Sequence, residues 1–372
     1  MEGKKILFIS TKVYPIIGGD TIYSCGLIYR LSKTNDVTVL TFGNDTDFVD
    51  HPIFKKVKIQ CFSKPKGLYY KIIKLLLNKS LLQDYSFGIK KFLKKENLNK
   101  YDFIIFDHLR SYSIGKSIFN EDLGKTKIIY VAHNVESINQ IQKLEALENR
   151  RLLSKLSDNV HDIEKKMIDS CDTIWTLNKK DLEIISKNHH VNNRVVKPYF
   201  PWDRIKYNDK KSNTNELLIL GSLNWYPNIK GILHFVNDIF PLLLKSNDSI
   251  ILNIVGQSPS AEILRLASDR IKIYSNVESV DPYILNSDLL IIPNRSGTGS
   301  KIKLLESIMK GLPLVAYREN IVGYENLDLT SPFVVDDPNQ FCKSVLELLN
   351  DPILGNNFID KNLKLINDNA LI

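Results

Sequence analysis

The chain has 372 residues, 43% hydrophobic and 25% charged, with 50 Lys and Arg against 42 Asp and Glu for a formal net charge of +8. That length and apolar content predict two globular domains and exclude a disordered chain. The positive excess is local: residues 55–100 hold 13 lysines against only Asp84 and Glu96, a net +11, while the remainder carries 37 basic and 40 acidic residues. A diffusely basic nucleic-acid binder is therefore not expected. Cys25, Cys61, Cys171 and Cys342 stand far apart with no C-x-x-C pair, so neither a disulfide framework nor a zinc site is expected. The first apolar run, Ile6 to Ile9, is too short for a signal peptide, and no stretch approaches the roughly 18 apolar residues that span a bilayer. These features predict a cytoplasmic protein, soluble or peripheral on the inner face of a membrane.

In chain order, the opening reads as a βαβ unit: a strand at Ile6 to Ile9, a Gly18-Gly19 loop, a helix to about Leu31 and a strand from Val37 to Phe42. Apolar runs recur at Phe103 to Phe106, Ile128 to Ala132 and Thr173 to Leu177, with helix-like segments between them, as a parallel α/β domain requires. Asn178 is placed to cap a helix over Lys179 to Lys187. An N-terminal domain is expected over residues 1–207, with a polar linker at 208–215. A second α/β domain over 216–351 contains strands at Leu217 to Leu220, Ile250 to Val255, Ile271 to Ile273, Leu289 to Ile292, Leu314 to Ala316 and Phe333 to Val335. Its helices are expected at Asn228 to Leu244, Ala261 to Ala267, Lys301 to Lys310 and from Pro338. A last helix within 352–372 either closes the second domain or crosses back to the first.

The most informative stretch runs from Pro293 to Glu306, Pro-Asn-Arg-Ser-Gly-Thr-Gly-Ser-Lys-Ile-Lys-Leu-Leu-Glu, leaving a strand and entering a helix. Glycines let a ligand approach the backbone, and first-turn helical N–H groups lack internal partners, so the segment suits an anion. Lys301 and Lys303 oppose the helix macrodipole by about 0.3–1 kcal/mol each, a cost that a bound diphosphate reverses; otherwise both extend into water. Glu306, one turn further in, is suited to accept hydrogen bonds from the vicinal hydroxyls of a ribose. Together these describe a site for a nucleoside diphosphate. Neither a Walker A loop nor a G-x-G-x-x-G fingerprint is present, which lowers kinases and nicotinamide enzymes.

Added to Gly18-Gly19 are Val131-Ala132-His133-Asn134-Val135-Glu136, Leu220-Gly221-Ser222-Leu223-Asn224-Trp225-Tyr226-Pro227-Asn228 and Gly311-Leu312-Pro313-Leu314-Val315. With these and Gly297 to Glu306, nearly the whole chain resembles the GT-B glycosyltransferases of family four. The resemblance implies an α/β fold of two Rossmann-like domains facing a cleft. It also implies transfer of a sugar from a nucleotide diphosphate sugar to a glycan or lipid-linked glycan acceptor in cell-surface polysaccharide biosynthesis, with retention and with no metal or other cofactor.

By the same resemblance, Gly18 and Gly19 face the donor phosphates, and Gly297, Thr298, Gly299 and Ser300 offer backbone amides to them. Lys301 or Lys303 holds the diphosphate, Glu306 the ribose, and His133 borders the donor sugar. The stretch from Asn276-Val277 to Tyr283 reads the base. The usual E-x7-E pattern is broken, because Thr298 stands eight residues before Glu306, so the donor sugar is not legible. A retaining reaction lets the leaving phosphate take the acceptor proton, whereas an inverting one needs a base, with Asp20, Asp107 and Glu136 the nearest candidates. Asp107-His108 ends a strand where α/β sheets place ligands, and either touches the acceptor or serves as a cap or core hydrogen bond. Asp20 either caps a helix from Thr21 or acts as a base. A nucleotide-sugar 2-epimerase of the same architecture and a non-catalytic nucleotide-sugar-binding protein stay open as alternatives.

Asp45-Thr46-Asp47 is a D-x-D, but in a short loop after a strand it reads as a solvated acidic turn, and His189-His190 reads as surface. Around Leu68 to Leu77, Lys71, Lys74 and Lys79 share one helical arc and Tyr69, Ile72, Ile73 and Leu76 the other, with Leu75 out of place. Such a helix suits an anionic membrane surface, or packs on the domain core with its lysines solvated. No aromatic interleaving of the nucleic-acid-binding kind accompanies the lysines.

Overall fold

A strand buried on both faces reads as a continuous apolar run, and Ile6-Leu7-Phe8-Ile9 is one. In the computed structural model of the protein these residues are fully buried in β1 (Lys5–Ile9). The structure describes residues 1–14, 18–44, 46, 48, 51–64, 67, 84–145, 150–187, 192–200, 214–296 and 300–368. The chain divides into two compact units, Met1–Ile16 with Asp20–Pro201, and Trp202–Ile372 with Ile17–Gly19.

In the first unit β1 joins β2 (Asp36–Phe42), β3 (Val57–Phe62), β4 (Phe103–Asp107), β5 (Lys127–Ala132), β6 (Thr173–Thr176) and β7 (Asn192–Val195). All pair in parallel, in the order β3-β2-β1-β4-β5-β6-β7. The two strands that apolar runs did not predict, β3 and β7, are the edges. Burial alternates between exposed and half-buried along much of β3, and β7 reads Asn192-Asn193-Arg194-Val195. Polar edges of this kind discourage pairing with another chain, and they also erase the apolar signal. The helix Gly19–Ser32 buries most of its length, and Asp20 lies inside its first turn, not at the capping position expected for it. Asn178 does cap its helix, accepting from Asp181 N at 2.8 Å.

The second unit holds β8 (Glu216–Ser222), β9 (Ile251–Gln257), β10 (Ile271–Ser275), β11 (Leu289–Ile292), β12 (Leu314–Tyr317) and β13 (Val334–Val335). They form a parallel sheet ordered β10-β9-β8-β11-β12-β13. The single helix expected from Asn228 to Leu244 is three pieces, Tyr226–His234, a π-helical turn Phe235–Ile239, and Phe240–Ser246. Pro241 explains the break, since it has no N–H and its ring crowds the carbonyl one turn earlier. The helix Ile302–Met309 starts one residue later than expected and ends at Gly311, whose φ of 72° few other residues adopt readily. There Gly311 N donates to Ile308 O at 3.0 Å and Leu312 N to Ser307 O at 2.9 Å, satisfying the last carbonyls. The terminal helix Pro352–Asp368 stacks Phe358 on Phe333 at 3.8 Å, and Asn362 accepts from Asp328 N at 2.8 Å.

Strand order reverses between β1 and β4 in one sheet and between β8 and β11 in the other. Carboxyl ends of strands at such a reversal leave a crevice where α/β sheets bind ligands. Several sequence readings fall outside the described residues: the stretch Leu68 to Leu77, Asp45 and Asp47, His189-His190, linker residues 208–213, and Gly297, Thr298 and Gly299.

Candidate functional site

Ile9 sits opposite Phe106 in the first sheet, so Ser10 and Asp107 reach its carboxyl edge together, and His133 follows from β5. A pocket opens there. Asp107 is 2% exposed and lies between three polar groups. Its Oδ2 is 2.6 Å from Ser10 Oγ and 2.7 Å from Ser24 Oγ, and its Oδ1 is 2.7 Å from His133 Nε2. His133, itself buried, packs against the edge of the Tyr23 ring at 5.0 Å and beside His108 at 5.2 Å.

Around this pair the remaining charges are matched. Asp20 meets Lys12 at 3.0 Å and Arg110 at 3.5 Å. Burial alone would raise the Asp20 carboxyl, but Lys12 and Arg110 outweigh it and hold it below its ordinary value. An ionised, ion-paired carboxylate is a weak proton acceptor, which favours the helix-terminal role of Asp20 over that of a base. His108 sits at φ 66°, a strained conformation for a non-glycine residue, and its Nδ1 faces Arg110 N at 3.4 Å while its Nε2 faces Glu136 Oε1 at 3.3 Å. Burial, Arg110, His133 and Lys12 push the His108 imidazole well below its usual value, and burial, with help from Glu164, raises the Glu136 carboxyl. Glu164 accepts from Glu136 N at 2.7 Å and Ser137 N at 3.2 Å, anchoring the start of the helix Glu136–Glu145. Asp107 and His108 thus line the pocket while making core hydrogen bonds, so both readings of the Asp107-His108 pair stay open.

In the second unit Lys303 points back from the helix Ile302–Met309 onto the switch point, donating to Leu220 O at 3.2 Å and Asn294 Oδ1 at 3.1 Å. An ammonium has three N–H donors, and among the described residues these two acceptors take two of them. Asn294 also donates to Pro227 O at 2.9 Å and Asn228 Oδ1 at 3.0 Å, fastening the segment after β11 to the loop after β8. Burial and the neighbouring Lys301 charge push the Lys303 ammonium down to about 7. The first-turn N–H groups are less free than expected, because Ile302 N donates to Ser300 O at 3.0 Å and Leu304 N to Lys301 O at 2.8 Å. Glu306 is buried and its Oε1 takes the Lys310 ammonium at 2.7 Å, while Lys310 also reaches Asp281 at 2.7 Å. Burial opposes the Lys310 charge, but Glu306 and Asp281 outweigh it and raise its pKa. Val277 is half-buried just beyond Asn276, whose φ of 56° turns the chain after β10.

Sequence reasoning missed Ser10, Lys12, Ser24 and Arg110 in one unit and Asn294 and Lys310 in the other. Ser10 was the most findable, as the first polar residue beyond a buried strand at the order reversal. Lys12 and Arg110 carry no motif and are recognised only by their shared partner. Among the described residues no group of three His, Cys, Asp or Glu is arranged to hold a metal ion.

Residues 214–351 match the family model described as "Glycosyl transferases group 1". No curated protein matches the chain by sequence. Sucrose-phosphate synthase from Thermosynechococcus elongatus superposes with a TM-score of 0.69 at 14% identity, over 99% of this chain and 96% of that one. A mutant of TarM from S. aureus, in complex with fondaparinux, alpha-GlcNAc-glycerol and UDP, gives 0.68 at 12% identity over 98% and 96%. Anabaena Alr3699/HepE in complex with UDP-glucose gives 0.62 at 12% identity over 98% and 94%. The fold is that of the GT-B proteins, with two Rossmann-like domains, and the chain is a glycosyltransferase by the domain at 214–351.

Proposed function

We propose that this glycosyltransferase is of the family-four type and moves a sugar from a nucleotide diphosphate sugar to a glycan or lipid-linked glycan acceptor, with retention and without a metal, in surface polysaccharide assembly. The observation that carries the reading is Lys303, an ammonium whose partners among the described residues, Leu220 O and Asn294 Oδ1, carry no charge, held at the strand-order reversal of the domain at 214–351. A diphosphate supplies the counter-charge it lacks. Glu306 Oε2 then meets the ribose hydroxyls, with Oε1 anchored by Lys310.

In the transfer step the bond from the anomeric carbon to the diphosphate oxygen breaks and that carbon bonds to the acceptor hydroxyl. The acceptor proton passes to the leaving phosphate, so no protein base is consumed. Lys303 and the backbone before it stabilise the charge on the departing diphosphate. His133, lining the first unit's pocket, borders the sugar. Incubation with UDP-, GDP- and dTDP-sugars checks the reading. Slow release of nucleoside diphosphate from one of them is expected, whereas an isomerised sugar means an epimerase and binding without turnover a binding module.

The basic segment is assigned to an anionic membrane surface that presents the acceptor. In its described part the helix Phe87–Lys95 buries Ile89 and Leu93 and turns Lys91, Lys94 and Lys95 outward beside Phe87, which is 66% exposed. No described helix is long and apolar enough to cross a membrane. Vesicles containing anionic lipid are expected to bind the protein at low salt and release it at high salt, because exposed charge is screened. Equal partition onto neutral and anionic vesicles ends this assignment.

A further inference from the structure

We propose that Asp107 is the positioning residue of the first unit's pocket, fixing His133 in the tautomer that carries its proton on Nε2 and offers Nδ1 as a bare acceptor to a sugar hydroxyl. The sugar in this statement rests on the transferase reading, but the tautomer does not.

The argument starts at Asp107 Oδ1, 2.7 Å from His133 Nε2. A carboxylate accepts and does not donate, so the neutral ring must carry its proton on Nε2. The carboxylate is itself held. Ser10 Oγ lies 2.6 Å from Oδ2, against 3.5 Å from its alternative acceptor, Lys12 O. Ser24 Oγ lies 2.7 Å from the same oxygen and 2.8 Å from Asp20 O, and its single proton is better spent on the anion than on a neutral carbonyl.

The frame behind these groups is rigid. Asp107 pairs with Val131 in the sheet, two residues before His133, and His108 N donates to Val131 O at 3.0 Å. Tyr23 and His108 pack on the imidazole, Tyr23 edge-on at 75°, which restricts ring rotation. Nε2 is occupied and the ring lines the pocket, so among the described residues Nδ1 is the nitrogen left for a ligand. Groups built on strand ends and locked by a further layer of hydrogen bonds hold the geometry a reaction needs.

The test uses the full chain with ¹⁵N-labelled histidine, reading ring-nitrogen resonances by long-range proton correlation, with His133 assigned by comparison with His133→Ala. The wild-type protein is expected to show a protonated Nε2 and an unprotonated Nδ1 at His133. In Asp107→Asn, whose amide donates as well as accepts, the Nδ1-protonated form is expected to appear. Turnover should fall by about tenfold or more while the donor KM changes less than about twofold, because the hydrogen bond from the sugar hydroxyl to His133 is one that strengthens in the transition state. Asp107→Asn in the His133→Ala background should cost nothing further. A wild-type His133 protonated on Nδ1 overturns the proposal without recourse to any variant, as does an unchanged tautomer in Asp107→Asn. If the tautomer behaves as stated and no nucleotide sugar is turned over, the transferase reading fails and the positioning role stands.

Discussion

Lys303→Met lowers turnover by about 10²–10³-fold, the usual cost of removing one preorganised donor from a developing charge. Methionine keeps the length and apolar stem of the side chain, so the packing is retained while the ammonium is lost. The effect is large because Lys303 is already placed: Leu220 O and Asn294 Oδ1 hold it at the switch point before any ligand arrives. Its ammonium, pushed down to about 7, is easily deprotonated in the free protein. A diphosphate raises that value again by supplying the opposite charge.

The sign of the pH dependence follows. Above about 7 the free protein must take up a proton on binding, so nucleoside diphosphate affinity falls as pH rises, by up to about tenfold per unit. Calorimetry at pH 8 in two buffers of different ionisation heat is expected to show proton uptake by the wild type and none by Lys303→Met. For folding the unfolded chain binds the extra proton, so this group makes the free protein more stable as pH climbs from about 7 toward the ordinary lysine value. Unchanged turnover in Lys303→Met, or no proton uptake in the wild type, removes Lys303 from the diphosphate.

Glu306→Gln weakens nucleotide binding by about 10–100-fold, the equivalent of a charge-assisted hydrogen bond worth about 1.5–3 kcal/mol. The shape is kept and only the charge is lost. Lys310 retains Asp281 as a partner, so the helix is not left with an isolated buried cation. The informative comparison is UDP against its 2′,3′-dideoxy analogue. The wild type is expected to prefer the ribose form strongly, and the variant to prefer it little. A preference of equal size in both proteins would make Glu306 a purely structural partner of Lys310.

What the chain order of residues revealed was decided by burial. Central strands such as Phe103 to Phe106 and Leu289 to Ile292 are apolar on both faces and stand out at once, as does a helix closed by Gly311 and Pro313. The edge strands β3 and β7 do not, since their side chains are exposed or only half-buried and none is fully buried. The segment proposed to hold the diphosphate stands out in the sequence as a local pattern of glycines, lysines and Glu306. The helix N–H groups were over-read there, because the turn at Ser300 and Lys301 satisfies two of them from within. The pocket of the first unit was legible only in part. His133 and Asp107 lie 26 positions apart, Asp107 and Ser10 97 positions apart, and no spacing rule joins them. Only the parallel register of β1, β4 and β5 brings them together, and it also turns Asp107, a candidate base by sequence, into a residue whose oxygens are already engaged.

The most direct measurement is a structure solved with an intact nucleotide sugar. The diphosphate is expected against Lys303 at the start of the helix Ile302–Met309, within hydrogen-bond distance of its Nζ, with the ribose hydroxyls on Glu306. A diphosphate bound elsewhere, or a ribose turned away from Glu306 while Lys303 keeps only Leu220 and Asn294, would contradict the account.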